Sequence, residues 1–169
     1  HLRGGFGEVT LERLLRDFLP NHLFELQSTL DGAGRVDVLV KFPKASLPVD
    51  SKFPREQVQH LFDSSDPKQI EDARKILRKV LRLEAKRISK YIRPDLGTMN
   101  MAIMFLPSEI LYFEAIRDET LWKELGKFQV FPASPNTLAI MLRGIAIAYD
   151  YYEMPAGGGR TIENLQKAQ

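Results

Sequence analysis

Cysteine is absent from the 169 residues, which excludes disulfides, thiolate nucleophiles and any zinc or iron–sulfur centre held by sulfur. A metal, if one is used, must be held by oxygen or by histidine. Histidine is itself scarce at three, and His22 and His60 have no second histidine at ligand spacing, so zinc is not expected. Apolar runs are short: none approaches the ~18 residues that read as a membrane span, and no secretory leader pattern opens the chain. Charge of one sign is also in short supply, since 24 Lys and Arg nearly balance 22 Asp and Glu, for a formal +2. An excess that small does not by itself announce a polyanionic partner. At 44% hydrophobic and 27% charged residues, the remainder has the composition of an ordinary folded domain.

Length predicts a single domain, because roughly 100–200 residues usually build one core. The expectation is one domain over residues 1–154 and a loose C-terminal tail over residues 155–169, which contains the tract Gly157-Gly158-Gly159. The chain opens on His1 rather than Met and reads as a piece of a longer protein. Its near-neutral charge conceals an asymmetry: residues 68–91 carry nine Lys and Arg against three acids.

Periodicity orders the elements. Residues 7–18 read as an amphipathic helix from the spacing of Val9, Leu11, Leu14, Leu15 and Phe18, stopped by Pro20, with Glu8 in the first turn. Residues 23–30 read as a strand. The turn formers Asp31-Gly32-Ala33-Gly34 then lead into RVDVLVKF, where Val36, Val38, Val40 and Phe42 alternate with Asp37, Leu39 and Lys41. A short connection, Pro43-Lys44-Ala45-Ser46, reaches a third strand, LPVDSKF, completing a meander. Asp66 is placed to cap a long helix over 67–92, in which Ile70, Ala73, Ile76, Leu77, Val80, Leu81 and Ile88 form the apolar stripe. MNMAIMFLP is apolar enough for a strand covered on both faces. Helices over 108–116 and 121–127, a strand in FQVFPA and a helix over 135–152 complete a mixed α/β (α+β) domain on a small central sheet.

Chemistry concentrates on the meander. Asp37 and Asp50 lie on adjacent strands with a short connection, and Asp50 and Lys52 are two residues apart, hence on one face of their strand. Carboxylates are hard oxygen ligands suited to Mg²⁺ or Mn²⁺, and an ion between them lowers the pKa of a bound water and neutralises a scissile phosphate. The Lys52 ammonium is placed to orient the attacking water or to offset transition-state charge. Glu8 is the further acid for this set, because its helix should pack beside the meander; the Ser51 carbonyl is an additional oxygen. Each residue alone has an ordinary explanation: Glu8 as an acid on the positive end of a helix, and Asp37, Asp50 and Lys52 as exposed strand residues. It is the helix–strand–strand–strand order, with twelve residues between the two aspartates and Lys52 just after, that argues for catalysis.

At these residues the chain resembles the PD-(D/E)xK nuclease superfamily, in which the motif spans two antiparallel strands and a helix glutamate often assists. With the flanks LRGGFGEVTLERLL, VDVLVKFP, VDSKFP, KYIRPDLGTMNMAIMFLPSE and VFPASPNTLAIMLRGIA, it resembles the RmuC family over nearly its whole length. That resemblance implies a restriction-endonuclease-like core with flanking helices, and a Mg²⁺- or Mn²⁺-dependent deoxyribonuclease with Asp37, Asp50 and Glu8 on the metal and Lys52 catalytic. It also implies DNA as the partner, no small-molecule cofactor, and a role in DNA recombination or in limiting DNA rearrangements in bacteria. The site departs from the pattern at Val36, where the superfamily has Pro, and at Phe6, where RmuC sequences often carry Trp; neither change removes a ligand. The family's N-terminal anchor and coiled coil fall outside these residues, so a cytoplasmic domain is expected, with membrane contact only through such segments and homo-oligomerisation left open.

On the long helix, Arg74, Lys75, Arg78, Lys79, Arg82 and Lys86 form a basic face able to track phosphates, although such a face is as often merely solvated. Ser108 and Ser134 read first as helix starts. Two other classes of function compete with the nuclease: a DNA-binding module that keeps the fold without cleaving, and a scaffold domain that joins a coiled coil through its long helix.

Overall fold

The computed structural model describes residues 10–152, with the main chain alone from 149 onward. The expected tail and Glu8 lie outside the described residues, as does the Phe6 position. Helix α1 (Leu11–Phe18) begins after Thr10, whose hydroxyl accepts from the Arg13 N–H at 3.3 Å. Strands β1 (Phe24–Leu30), β2 (Gly34–Lys41) and β3 (Ser46–Ser51) form the meander. The β1–β2 turn needs the left-handed backbone of Gly32 (φ 78°) and Gly34 (φ 104°), which glycine adopts without steric cost.

A short helix α2 (His60–Asp63) precedes the long α3 (Pro67–Ser89). The Asp66 side chain accepts from the Lys68 N–H at 3.0 Å, and Pro67, which has no N–H to satisfy, follows at the first helical position. Then come β4 (Ala102–Phe105), α4 (Glu109–Arg117), α5 (Glu119–Lys127), β5 (Val130–Ala133) and α6 (Leu138–Tyr152). The last helix starts three residues later than the periodicity suggests. Ser134 and Thr137 hydrogen-bond to each other's main-chain N–H at 2.8 and 3.2 Å, which holds the intervening residues in a turn.

The five strands form one mixed sheet in sequence order: β1–β2–β3 antiparallel, then β4 and β5 parallel to β3. The fold is a mixed α/β, α+β arrangement with an apolar core on each face. On one face Leu39, Ala102, Met104 and Val130 meet Leu77, Leu81 and Ile88 of α3 together with α4 and α5. On the other, Val38, Val40, Leu47, Val49, Ile103 and Phe105 meet Leu11 and Leu15 of α1 and Leu138 and Leu142 of α6. Strand β4, with neighbours on both sides and a helical layer over each face, is wholly buried, as its unbroken apolar run predicts.

One strand departs from simple alternation. Val36 was expected to share a face with Val38 and Val40, yet it packs with Leu39 on the α3 side. The slip falls at Asp37. The β1–β2 ladder pairs Leu26 with Val38 and Ser28 with Val36 but skips the step between them, where Gln27 adopts φ 50°. A non-glycine residue in that region leaves the regular ladder, so the pleat of β2 is not continuous through Asp37.

Leu81 is fully buried where α3 crosses the sheet. Leu81→Ala should therefore cost about 2–5 kcal/mol by urea unfolding; a cost under about 1 kcal/mol would mean that α3 is not docked as described.

Candidate functional site

The β2–β3 ladder runs from the pair Lys41 and Ser46 to the pair Val38 and Val49. One step further, the same register sets Asp37 opposite Asp50, and Asp50 meets Arg87 of α3. Here side chains take over the pairing. The main-chain N–H of Asp37 donates to Oδ1 of Asp50 at 2.8 Å, and the N–H of Ser51 donates to Oδ2 of Asp37 at 2.9 Å. Each carboxylate serves as the acceptor for the opposite strand, so the strands part here without orphaning either N–H. The amide of Gln27 reaches Oδ1 of Asp37 at 3.4 Å.

Asp50 is 4% exposed. Burial pushes its carboxyl above the ordinary aspartate value of 3.8, and the Asp37 charge adds to that push; the Asp37 N–H and the Arg87 guanidinium oppose it by stabilising the anion. Arg87 comes from the last turn of α3. Its Nη2 donates to Oδ2 of Asp50 and to Oε1 of Glu84, its Nε donates to the same Glu84 oxygen at 2.9 Å, and its Nη1 donates to the Tyr91 hydroxyl at 3.2 Å. Tyr91 in turn donates to the Arg35 carbonyl on β2 at 2.8 Å. The Glu84 and Asp50 contacts hold the Arg87 guanidinium strongly protonated. Burial, with the Asp50 charge, raises the Tyr91 phenol.

The structure thus brings Asp37 and Asp50 together across the parting strands. Lys52 follows directly: its N–H donates to the Phe105 carbonyl at 2.9 Å, continuing the run of β3 beside β4. No ion pair or side-chain hydrogen bond joins Lys52 to another described residue. Glu8 lies outside the described residues. The basic face of α3 divides in two. Arg74, Arg78 and Arg82 are ion-paired to Glu114 of α4, Asp118 at the α4–α5 junction and Glu124 of α5, the first two at 2.9 and 3.1 Å, whereas Lys75, Lys79 and Lys86 are exposed.

Glu84, Arg87 and Tyr91 were not among the expected site residues. A signal for Glu84 did exist. Leu77, Leu81, Glu84 and Ile88 step along the helix at intervals of four, three and four, so an acid occupies a place in the buried stripe. Glu84 is indeed only 8% exposed, and a buried acid needs a partner.

Asp37 and Asp50 suit a hard divalent cation in kind. Each of their four oxygens accepts one hydrogen bond and retains a second acceptor direction. They do not suffice in number, since no group of three or more acids or histidines among the described residues is arranged to hold a metal ion. A complete shell for such an ion would need further oxygens.

These features define a mixed α/β protein in which a buried Asp50 and a half-buried Asp37 each accept a main-chain N–H from the opposite strand where two central strands part. The chain belongs to the RmuC family, whose profile matches residues 1–157. It is similar to the DNA recombination protein RmuC homologs of Xylella fastidiosa strains Temecula1 and 9a5c. Each is 31% identical over 161 residues, a match covering 87% of this chain and 35% of the relative. The chain therefore spans about a third of the length of these relatives. No solved structure matches. No helix among the described residues is long and apolar enough to cross a membrane.

Because burial raises the Asp50 carboxyl in the folded state, the folded protein binds that proton more tightly than the unfolded chain. The associated stability is complete below the unfolded value and is lost as pH rises through the folded one. Asp50→Asn abolishes the titration with little change of shape. In EDTA, its stability relative to the parent should rise as pH is raised from about 3.8 towards neutrality, read by urea unfolding. A difference that stays flat or falls across that window would mean that the Arg87 contact outweighs burial.

Proposed function

We propose that this chain is the catalytic core of a metal-dependent DNA phosphodiesterase that acts in recombination or in limiting DNA rearrangements. The observation that carries the reading is the Asp37–Asp50 pair, with Lys52 two residues beyond Asp50. The three-stranded antiparallel meander, followed by a helix and a parallel strand, supports a restriction-endonuclease-like core. The names of the relatives support DNA as the partner.

In this reading Asp37 and Asp50 hold Mg²⁺ or Mn²⁺, with Glu8 as a further ligand and the Ser51 carbonyl available beside them. When bound, such an ion polarises the phosphoryl oxygen and favours hydroxide over water. The chain's own residues do the positioning. The two N–H contacts lock both carboxylates, so the ligand oxygens are set before substrate arrives. Lys52, with no carboxylate partner among the described residues, is available to orient the attacking water and offset charge on the phosphate. Duplex contact on α3 falls to Lys75, Lys79 and Lys86, because the neighbouring arginines are engaged with α4 and α5.

The test compares the parent chain with Asp50→Ala and Lys52→Ala on supercoiled and linear DNA in Mg²⁺, Mn²⁺ and EDTA. Metal-dependent cleavage is expected from the parent, falling at least about a hundredfold in each variant while circular dichroism shows both folded. Equal cleavage by all three proteins would place the activity elsewhere. Salt-sensitive DNA binding without metal-dependent nicking would make the chain a binding module instead.

Removing the exposed lysines separates contact from folding. Lys75→Ala combined with Lys79→Ala should weaken duplex binding and reduce the salt dependence by about one ion per lost phosphate contact. Arg74→Ala should instead lower the unfolding midpoint, as its guanidinium ties α3 to Glu114. Unchanged DNA affinity in the double lysine variant would remove α3 from the interface.

A further inference from the structure

A single guanidinium serves two buried acids. The side chains of Asp50 and Glu84 are 6% and 10% exposed, while that of Arg87, which contacts both, is 40% exposed. Asp37 lies across the strand pair from Asp50, so among the described residues a third carboxylate stands beside the two that Arg87 pairs. In a low-dielectric setting the uncompensated negative charge favours a further cation. The acids are embedded and the cation is reachable from solvent, so the guanidinium can leave without opening the core.

The grip on Arg87 is uneven. Glu84, one helical turn earlier, takes both Nε and Nη2, whereas Asp50 takes Nη2 alone. Tyr91, 2% exposed and anchored to the Arg35 carbonyl, receives Nη1 on the far side. Arg87 can therefore release Asp50 while remaining tethered to α3. A guanidinium freed on one edge presents the planar donor fork that suits a phosphate.

We propose that Arg87 is a displaceable counter-ion: it neutralises Asp50 in the metal-free protein, gives Asp50 up to the incoming divalent cation, and then takes a DNA phosphate while Glu84 keeps it positioned. This rests on the metal-site reading above and adds a competitor to it. Arg87 and the divalent cation, being of like charge, compete for Asp50, and Arg87 reaches DNA only once the cation is bound.

The experiment measures Mn²⁺ affinity without DNA, from the paramagnetic resonance signal of the free ion, in the parent chain and in Arg87→Gln, Arg87→Lys and Asp50→Asn. Arg87→Gln should bind Mn²⁺ about tenfold more tightly, the effect of removing a competing charge beside the ligand. Arg87→Lys, which keeps a charge but loses the fork, should gain about threefold. A purely structural arginine would not tighten metal binding when removed. Duplex affinity supplies the second reading: Arg87→Gln should match the parent in EDTA and fall about tenfold below it with Ca²⁺ present. Mn²⁺ affinity that is unchanged or weaker in both Arg87 variants, with Asp50→Asn still impaired, would overturn the counter-ion role and leave the metal site standing. If Asp50→Asn binds Mn²⁺ as the parent does, the metal site itself is wrong. Should Arg87→Gln fail to fold, Arg87→Lys carries the comparison, and the absence of any gain in it overturns the proposal.

Discussion

Two aspartates accept the main-chain N–H groups that β2 and β3 would otherwise leave unpaired as they part. Much of the site follows from this exchange. It ends the ladder without orphaned donors, and it fixes both carboxylates by bonds to backbone rather than to mobile side chains. Asp50 itself faces α3, where Arg87 meets it. Burial then makes the Asp50 anion costly, which is why a cation from another element has to be there. Each of these carboxylate oxygens accepts one hydrogen bond and keeps a second acceptor direction.

Helix α3 supplies that cation, and its three faces are distinct. The apolar stripe through Leu77, Leu81 and Ile88 closes one core. A flank carries Arg74, Arg78 and Arg82 into ion pairs with α4 and α5, where partial exposure makes each pair worth little alone and the set serves mainly as a register between helices. Towards its C-terminus α3 turns polar at Glu84 and Arg87, with Tyr91 just beyond its end, where it passes the parting strands. The positive balance of the segment thus serves packing and counter-charge as well as solvation, with the exposed lysines left for long-range attraction.

Membership of the RmuC family and the geometry of the acid pair bear on different questions. The family places the chain among proteins named for DNA recombination. The geometry shows what a chain spanning about a third of such relatives holds in place: two carboxylates fixed by main-chain N–H groups, with an arginine balancing the buried one.

The element types, the two-sided cover of β4, the caps at Asp66 and Ser108, and the closeness of Asp37 to Asp50 were legible in the residues. Each depends on periods of two or 3.6, on short turns, or on side chains bonding a few positions away. The slip of Val36 to the other face was not legible, since it arises from a left-handed Gln27 on a different strand. Nor was the identity of the counter-ion. Arg87 meets Asp50 across 37 positions of sequence, and one arginine among nine basic residues is selected only by how α3 lies over the sheet. Sequence by itself determined which groups were available and which face of each element they share. The tertiary structure decided which buried charges must answer one another, because desolvation and Coulomb attraction act through space and depend on the path the chain takes between its elements.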